Sequence, residues 1–135
     1  MLIIKEVEYA VMILDELYHE SPLSAAALST RRNIPSPFIY RVLKKLEARD
    51  ILEIRRGPKG GYSLKADCEK LTLYDVICAF ENTFIVTECL KSDYECVHNN
   101  DFNCRMHRQF AWIQHLLKKE FQKANLSSLL EEDPE

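Results

Sequence analysis

Apolar residues recur at three- and four-residue intervals from the start of the chain. Val7, Ala10, Val11, Leu14, Leu17 and Tyr18 share one face of a helix over residues 6–19, which Ser21-Pro22 ends. Ser24 is placed to cap a short second helix reaching Arg31, with Leu28 turned inward. Asn33-Ile34-Pro35-Ser36-Pro37 reads as a turn in which Ser36 caps a third helix and Pro37 takes its first position, where a missing N–H costs little. The third helix extends from Pro37 to Arg49. Its apolar face is Phe38 or Ile39, Val42, Leu43 and Leu46, and its other face carries Tyr40, Arg41, Lys44 and Lys45.

Beyond Asp50 the period changes. Ile51 to Arg55 reads as a strand, Gly57-Pro58-Lys59-Gly60-Gly61 as a turn, and Tyr62 to Lys65 as the returning strand. All three glycines of the chain lie in this turn, so its backbone needs positive φ or a close approach to other atoms. Thr72 caps a fourth helix, Leu73 to Asn82, with Asp75 in its first turn. A last helix starts near Cys104 and ends near Ala124. Met106, Phe110, Ile113, Leu117 and Phe121 form its stripe, which Trp112 and Leu116 widen. At roughly 20 residues it is about 30 Å long. So large an apolar face on a small domain with its own core predicts burial against a second copy. The acidic tail, Glu131 to Glu135, is predicted to fray. The order of elements predicts a mainly α fold with a small β-hairpin, a winged helix-turn-helix followed by a long C-terminal dimerisation helix. The predicted boundaries are 1–82 for the winged helix, 83–104 for a cysteine-rich loop, and 105–135 for the dimerisation helix and tail.

Composition changes this picture in two places. A chain of 135 residues is the size of one domain and can fold without disulfides. It has no apolar run long enough for a membrane span and no basic segment ahead of a sustained apolar stretch, so a cytoplasmic location is expected. The net charge of −3 hides an asymmetry: residues 31–65 hold ten Lys/Arg against three Asp/Glu. A basic middle in an acidic chain is a polyanion footprint. In a helix-turn-helix the second helix of the motif enters the major groove. That placement puts Ser36, Phe38, Tyr40 and Arg41 near base edges and Arg31, Arg32, Lys44 and Lys45 on phosphates. Arg55, Arg56 and Lys59 on the wing reach the backbone or minor groove. The bland reading is an ordinary solvated basic face; its coincidence with the helix–turn–helix–hairpin order favours double-stranded DNA.

The second place is a cluster of cysteines. Cys89, Cys96 and Cys104 fall within sixteen residues, and His107 follows three positions later. The segment around them is polar and acidic, so it reads as a loop. Thiolates and an imidazole gathered in this way suit a soft metal or an iron–sulfur cluster. A structural zinc site, a thiol switch or spare surface thiols are the alternatives. Five cysteines, an odd number, argue against a disulfide framework. Cys68 and Cys78 read as structural, and His98 is a weaker ligand candidate. No nucleophile–base arrangement or glycine-rich phosphate cradle supports catalysis, so the chain is not expected to be an enzyme.

The wing Arg56-Gly57-Pro58-Lys59-Gly60-Gly61-Tyr62 resembles the Arg-Gly-x-x-Gly-Gly-Tyr wing of the iron–sulfur cluster regulator family, the IscR, NsrR and CymR group of bacterial winged-helix transcription factors. Glu8-Tyr9-Ala10, Leu71 to Ile77 and Asn125 to Leu130 resemble it in the same order. The resemblance implies a homodimer that binds near-palindromic DNA, with a cluster loop ahead of the dimerisation helix. It implies Cys89, Cys96 and Cys104 as cluster ligands. For the fourth ligand it offers His107, or Glu8 of the first helix acting across the dimer. A histidine ligand favours a 2Fe–2S cluster, and a carboxylate a 4Fe–4S cluster. Cysteine spacings of six and seven residues are longer than the family's most familiar pattern. The runner-up is a cluster-free regulator of the same fold that senses through thiols, zinc or a partner protein.

Overall fold

The computed structural model describes residues 3–81, 84–98 and 104–131. The elements run α1 (Lys5–His19), α2 (Ala25–Arg32), α3 (Ser36–Ala48), β1 (Leu52–Arg55), β2 (Gly61–Leu64), α4 (Leu73–Phe80), α5 (Arg105–Lys123) and α6 (Leu126–Glu131). A single 3-10 turn, Glu88–Leu90, lies between α4 and α5.

Ser24 caps α2 as its sequence predicts, its hydroxyl accepting from the Ala27 N–H. Asn33 closes α2 in the left-handed conformation, which asparagine tolerates better than most residues. The start of α3 differs from expectation. Pro35, not Ser36, is the N-cap, and its carbonyl accepts from the N–H groups of Phe38 and Ile39. Ser36 is therefore the first helical residue, and no side chain caps α3. Pro35 holds a non-helical cap conformation, φ −57° and ψ 137°, so the helical turn begins one residue earlier than a serine cap would allow. The core gathers the stripes of all three helices: Val7, Ala10, Ile13, Leu14 and Leu17 from α1, Leu28 from α2, and Ile39, Val42, Leu43 and Leu46 from α3.

β1 and β2 form an antiparallel hairpin in which Leu52 faces Leu64 and Arg55 faces Gly61. Leu23 joins its edge through two hydrogen bonds with Tyr62. The glycine requirement at the turn is steric. Gly61 holds φ +143°, and a Cβ there would lie 2.7 Å from the Leu23 carbonyl. At Gly60 a Cβ would lie 2.1 Å from the Arg55 carbonyl oxygen.

Thr72 and Asp75 form a reciprocal capping box on α4. The helix ends at Phe80, and the expected end, Asn82, lies outside the described residues. Beyond α5 the chain returns to the start of α4. Leu126 donates to the Leu71 carbonyl, Leu73 donates to the Ala124 carbonyl, and the Leu126 side chain is wholly buried. Leu117 and Phe121 of α5 also pack on the core, whereas no apolar residue from 105 to 113 does so. Among the described residues, no helix is long and apolar enough to cross a membrane.

Candidate nucleic-acid interface and cysteine segment

Helix α3 buries Ile39 and exposes Phe38, which settles the choice its sequence left open. The Phe38 ring leans on Tyr9, centroids 5.9 Å apart, and lies under the Arg41 guanidinium. Tyr40 stands free at 60% exposure. Ser36, Arg41 and Lys44 are also exposed. Arg55, Arg56 and Lys59 of the hairpin and its turn are exposed as well.

Much of the basic segment is already paired with the protein's own acids. Arg31 binds Glu20 at 2.7 Å and Glu16 at 3.3 Å. Arg32 binds Glu16 at 2.6 Å and also Asp15. Arg41 and Lys45 share Glu6, and Arg55 approaches Glu53 at 3.6 Å. Among the described residues, Lys44, Arg49, Arg56 and Lys59 form no such pair. Apart from Arg55 with Glu53 and Lys65 with Asp50, the basic side chains of this segment thus divide into a set that ties α2 and α3 to α1 and its C-cap, and a set without an ion pair among the described residues.

The acids feel this pairing. The Arg32 hydrogen bond, joined by Arg31, holds the Glu16 carboxyl below its ordinary value. For Glu6, burial works against the charged form, but hydrogen bonds from Lys45 and Arg41 outweigh it and the carboxyl also sits low. Sequence reasoning missed Glu6 as part of this face. Its signal was positional: Glu6 continues the α1 stripe of Ala10, Ile13 and Leu17 at helical spacing.

The cysteine segment is tied to α5 at its beginning. Phe84 is buried and meets Phe121 edge-on at 5.4 Å, and the Val86 N–H donates to Gln114 Oε1 at 2.9 Å. Gln114 is a second contributor that the sequence did not reveal. Cys89 lies on the 3-10 turn, and Cys96 lies in the irregular stretch after it. Cys104 is the N-cap of α5, its Sγ accepting from the His107 N–H at 3.5 Å. All three are half-buried free thiols. His107 is half-buried one turn into α5. Glu8 lies off the buried stripe of α1 and pairs with Lys5 at 2.7 Å. Among the described residues, no three His, Cys, Asp or Glu side chains are gathered to hold a metal ion. The structure therefore places Cys89, Cys96, Cys104 and His107 on one segment without gathering three of them, and Glu8 on α1. Asn99, Asn100 and Asp101 of the loop lie outside the described residues.

Residues 3–132 match the family model Rrf2, described as iron-dependent transcriptional regulator. A protein of Aquifex aeolicus described as an HTH-type transcriptional regulator is 27% identical over 97 residues, 72% of this chain and 67% of that one. The HTH-type transcriptional regulator IscR of Vibrio campbellii is 32% identical over 84 residues, covering 60% of this chain and 50% of its own. Among solved structures, CymR, the global cysteine regulator of B. subtilis, superposes with a TM-score of 0.73 at 21% identity, covering 95% of both chains.

Proposed function

The chain belongs to the Rrf2 family of helix-turn-helix transcriptional regulators, and from that premise we propose that it is a cytoplasmic homodimer whose grip on near-palindromic DNA is set by an iron–sulfur cluster. Ser36, Tyr40 and Arg41 meet base edges, while Lys44, Arg56 and Lys59 meet phosphates. Half-sites lie about one or two helical turns apart.

Cys89, Cys96 and Cys104 hold the cluster. His107 is the preferred fourth ligand for a 2Fe–2S form, and Glu8 of a second copy the other, for a 4Fe–4S form. When bound, such a group supplies a labile link that oxidants or nitric oxide can break. The donor set suits it: three thiols free of disulfides, half-buried on one segment, with an imidazole one turn beyond. The observation that carries the reading is the position of Cys104. It caps α5, so a bond made at its sulfur acts on the end of the helix that bears the exposed stripe of Met106, Trp112, Ile113 and Leu116.

Anaerobic purification with an absorption spectrum, iron count and acid-labile sulfide count tests the proposal, repeated on Cys96→Ala. Visible bands with matched iron and sulfide, absent from the variant, are expected. A colourless protein after attempted cluster reconstitution would sink the cluster. It would favour the second reading, a thiol-based regulator, to which the ungathered free thiols lend support.

A further inference from the structure

Two cations of α3 have a partner that contact with DNA does not require. Glu6 lies on the buried stripe of α1, and its side chain is only 15% exposed. It reaches across to α3 and divides its oxygens between two residues one helical turn apart. Oε1 accepts from Arg41 Nη1 at 3.2 Å, and Oε2 accepts from Lys45 Nζ at 3.1 Å. Each cation also rests on an aromatic ring. Arg41 lies 5.3 Å from the Phe38 centroid, and Lys45 lies 5.4 Å from that of Phe80. Without the carboxylate, two like charges at this spacing repel each other. With it, two cations share one anion, and both are held from the protein side. Lys44, between them in sequence, is exposed and forms no ion pair among the described residues.

We propose that Glu6 is a specificity-setting, positioning residue of the DNA interface: it retains Arg41 and Lys45 on the protein so that they do not bind duplex phosphates indiscriminately. The role rests on the reading of α3 as the helix that meets DNA. Phosphate contacts supply affinity without sequence information. An anion that withdraws two cations from them lowers binding to arbitrary sequence. It leaves Arg41 oriented along α3, beside Tyr40, for contacts that depend on the bases.

The test uses the full chain and mixed-sequence duplex DNA, with affinity measured across a salt series. Glu6→Gln keeps the length and one acceptor of the side chain while removing its charge. The variant is expected to bind the duplex several-fold more tightly at about 0.1 M salt, with a log–log salt slope steeper by about one to two units per subunit, since each phosphate contact adds about 0.9. Adding Lys45→Gln should remove about half of that gain. A merely structural role would move the denaturation midpoint and leave the salt slope alone. A folded Glu6→Gln protein with the wild-type slope overturns the proposal and leaves DNA binding intact. Wild-type protein that ignores duplex DNA at low salt overturns both. If Glu6→Gln does not fold, Lys45→Gln in the wild-type background decides. An unchanged slope supports the retained cation, and a fall of about 0.9 per subunit overturns it.

Discussion

Arg31 and Arg32 show how a residue can be read correctly as basic while its partners within the fold stay hidden. Their sequence neighbourhood suggests phosphate contacts, and their guanidiniums also face Asp15 and Glu16 of α1 and Glu20 at its C-cap. Those acids are at least eleven positions away in sequence, so a charge count along the chain cannot pair them. Only the helix register brings them together. Arg32→Ala is accordingly expected to lower stability by about 1 kcal/mol in a denaturant titration. It should barely alter the salt slope of DNA binding. Arg56→Ala and Lys59→Ala should do the reverse, each lowering the slope by about one with the denaturation midpoint unmoved. The acid limit of stability follows from the same pairs. Glu6, Glu16 and Glu20 have folded values below the ordinary 4.5. Their contribution is therefore complete above that value and lost as pH falls through the lower folded ones. A thermal melt followed from pH 6 downward should hold level first and then drop in the acid range. Replacing all three by Gln should flatten that drop.

At the scale of elements, legibility tracked how much of the signal was local. The four helices of the N-terminal half and the hairpin were readable because each combines a stripe or an alternation with a stop signal nearby. Thr72 with Asp75 is the clearest case, and Thr72→Ala is expected to cost about 1 kcal/mol, seen as a lowered denaturation midpoint. The wing was legible from its glycines alone. Gly61→Ala meets both a positive φ and the Leu23 backbone, so it should disturb the hairpin and weaken DNA binding at unchanged net charge. Helix α6 and the 3-10 turn were not foreseen. Each is short: the 3-10 turn has three residues, and α6 offers only the single apolar turn of Leu126, Leu129 and Leu130. What holds α6 is distant: Leu126 enters the core, and Tyr18 of α1 donates to Glu131. The candidate ligand cysteines were legible as a set for the opposite reason, since their closeness in sequence is itself the signal. Their arrangement in space depends on bonds that sequence spacing does not specify.

For the whole molecule, the division of α5 matters most. Its second half is docked through Leu117, Phe121 and Gln114, and its first half carries Met106, Trp112 and Ile113 in the open. Periodicity predicted one stripe for a second copy; Leu117 and Phe121 of it pack on this chain's own core instead, and the open remainder is the surface proposed to meet a second copy. Ile113→Glu should shift sedimentation from dimer toward monomer and weaken operator binding together. An unchanged sedimentation profile would show that the stripe is not the contact. The far end of α5 is fixed by the Thr72–Asn125 bridge and by buried Leu126. Mechanically the helix is a cantilever, docked on its own chain from Gln114 onward and carrying Cys104 at its other end. A pull at Cys104 acts through the undocked half, a lever arm of about 15 Å. It arrives at the clamp as a torque on α4, an element that packs on both α1 and α3. The joint at Leu126, where the neighbouring Ser127 N–H donates to the Cys68 carbonyl, is therefore where stiffness counts: loosening it should uncouple the candidate ligand thiols of the loop from the DNA face while leaving each able to bind its own partner.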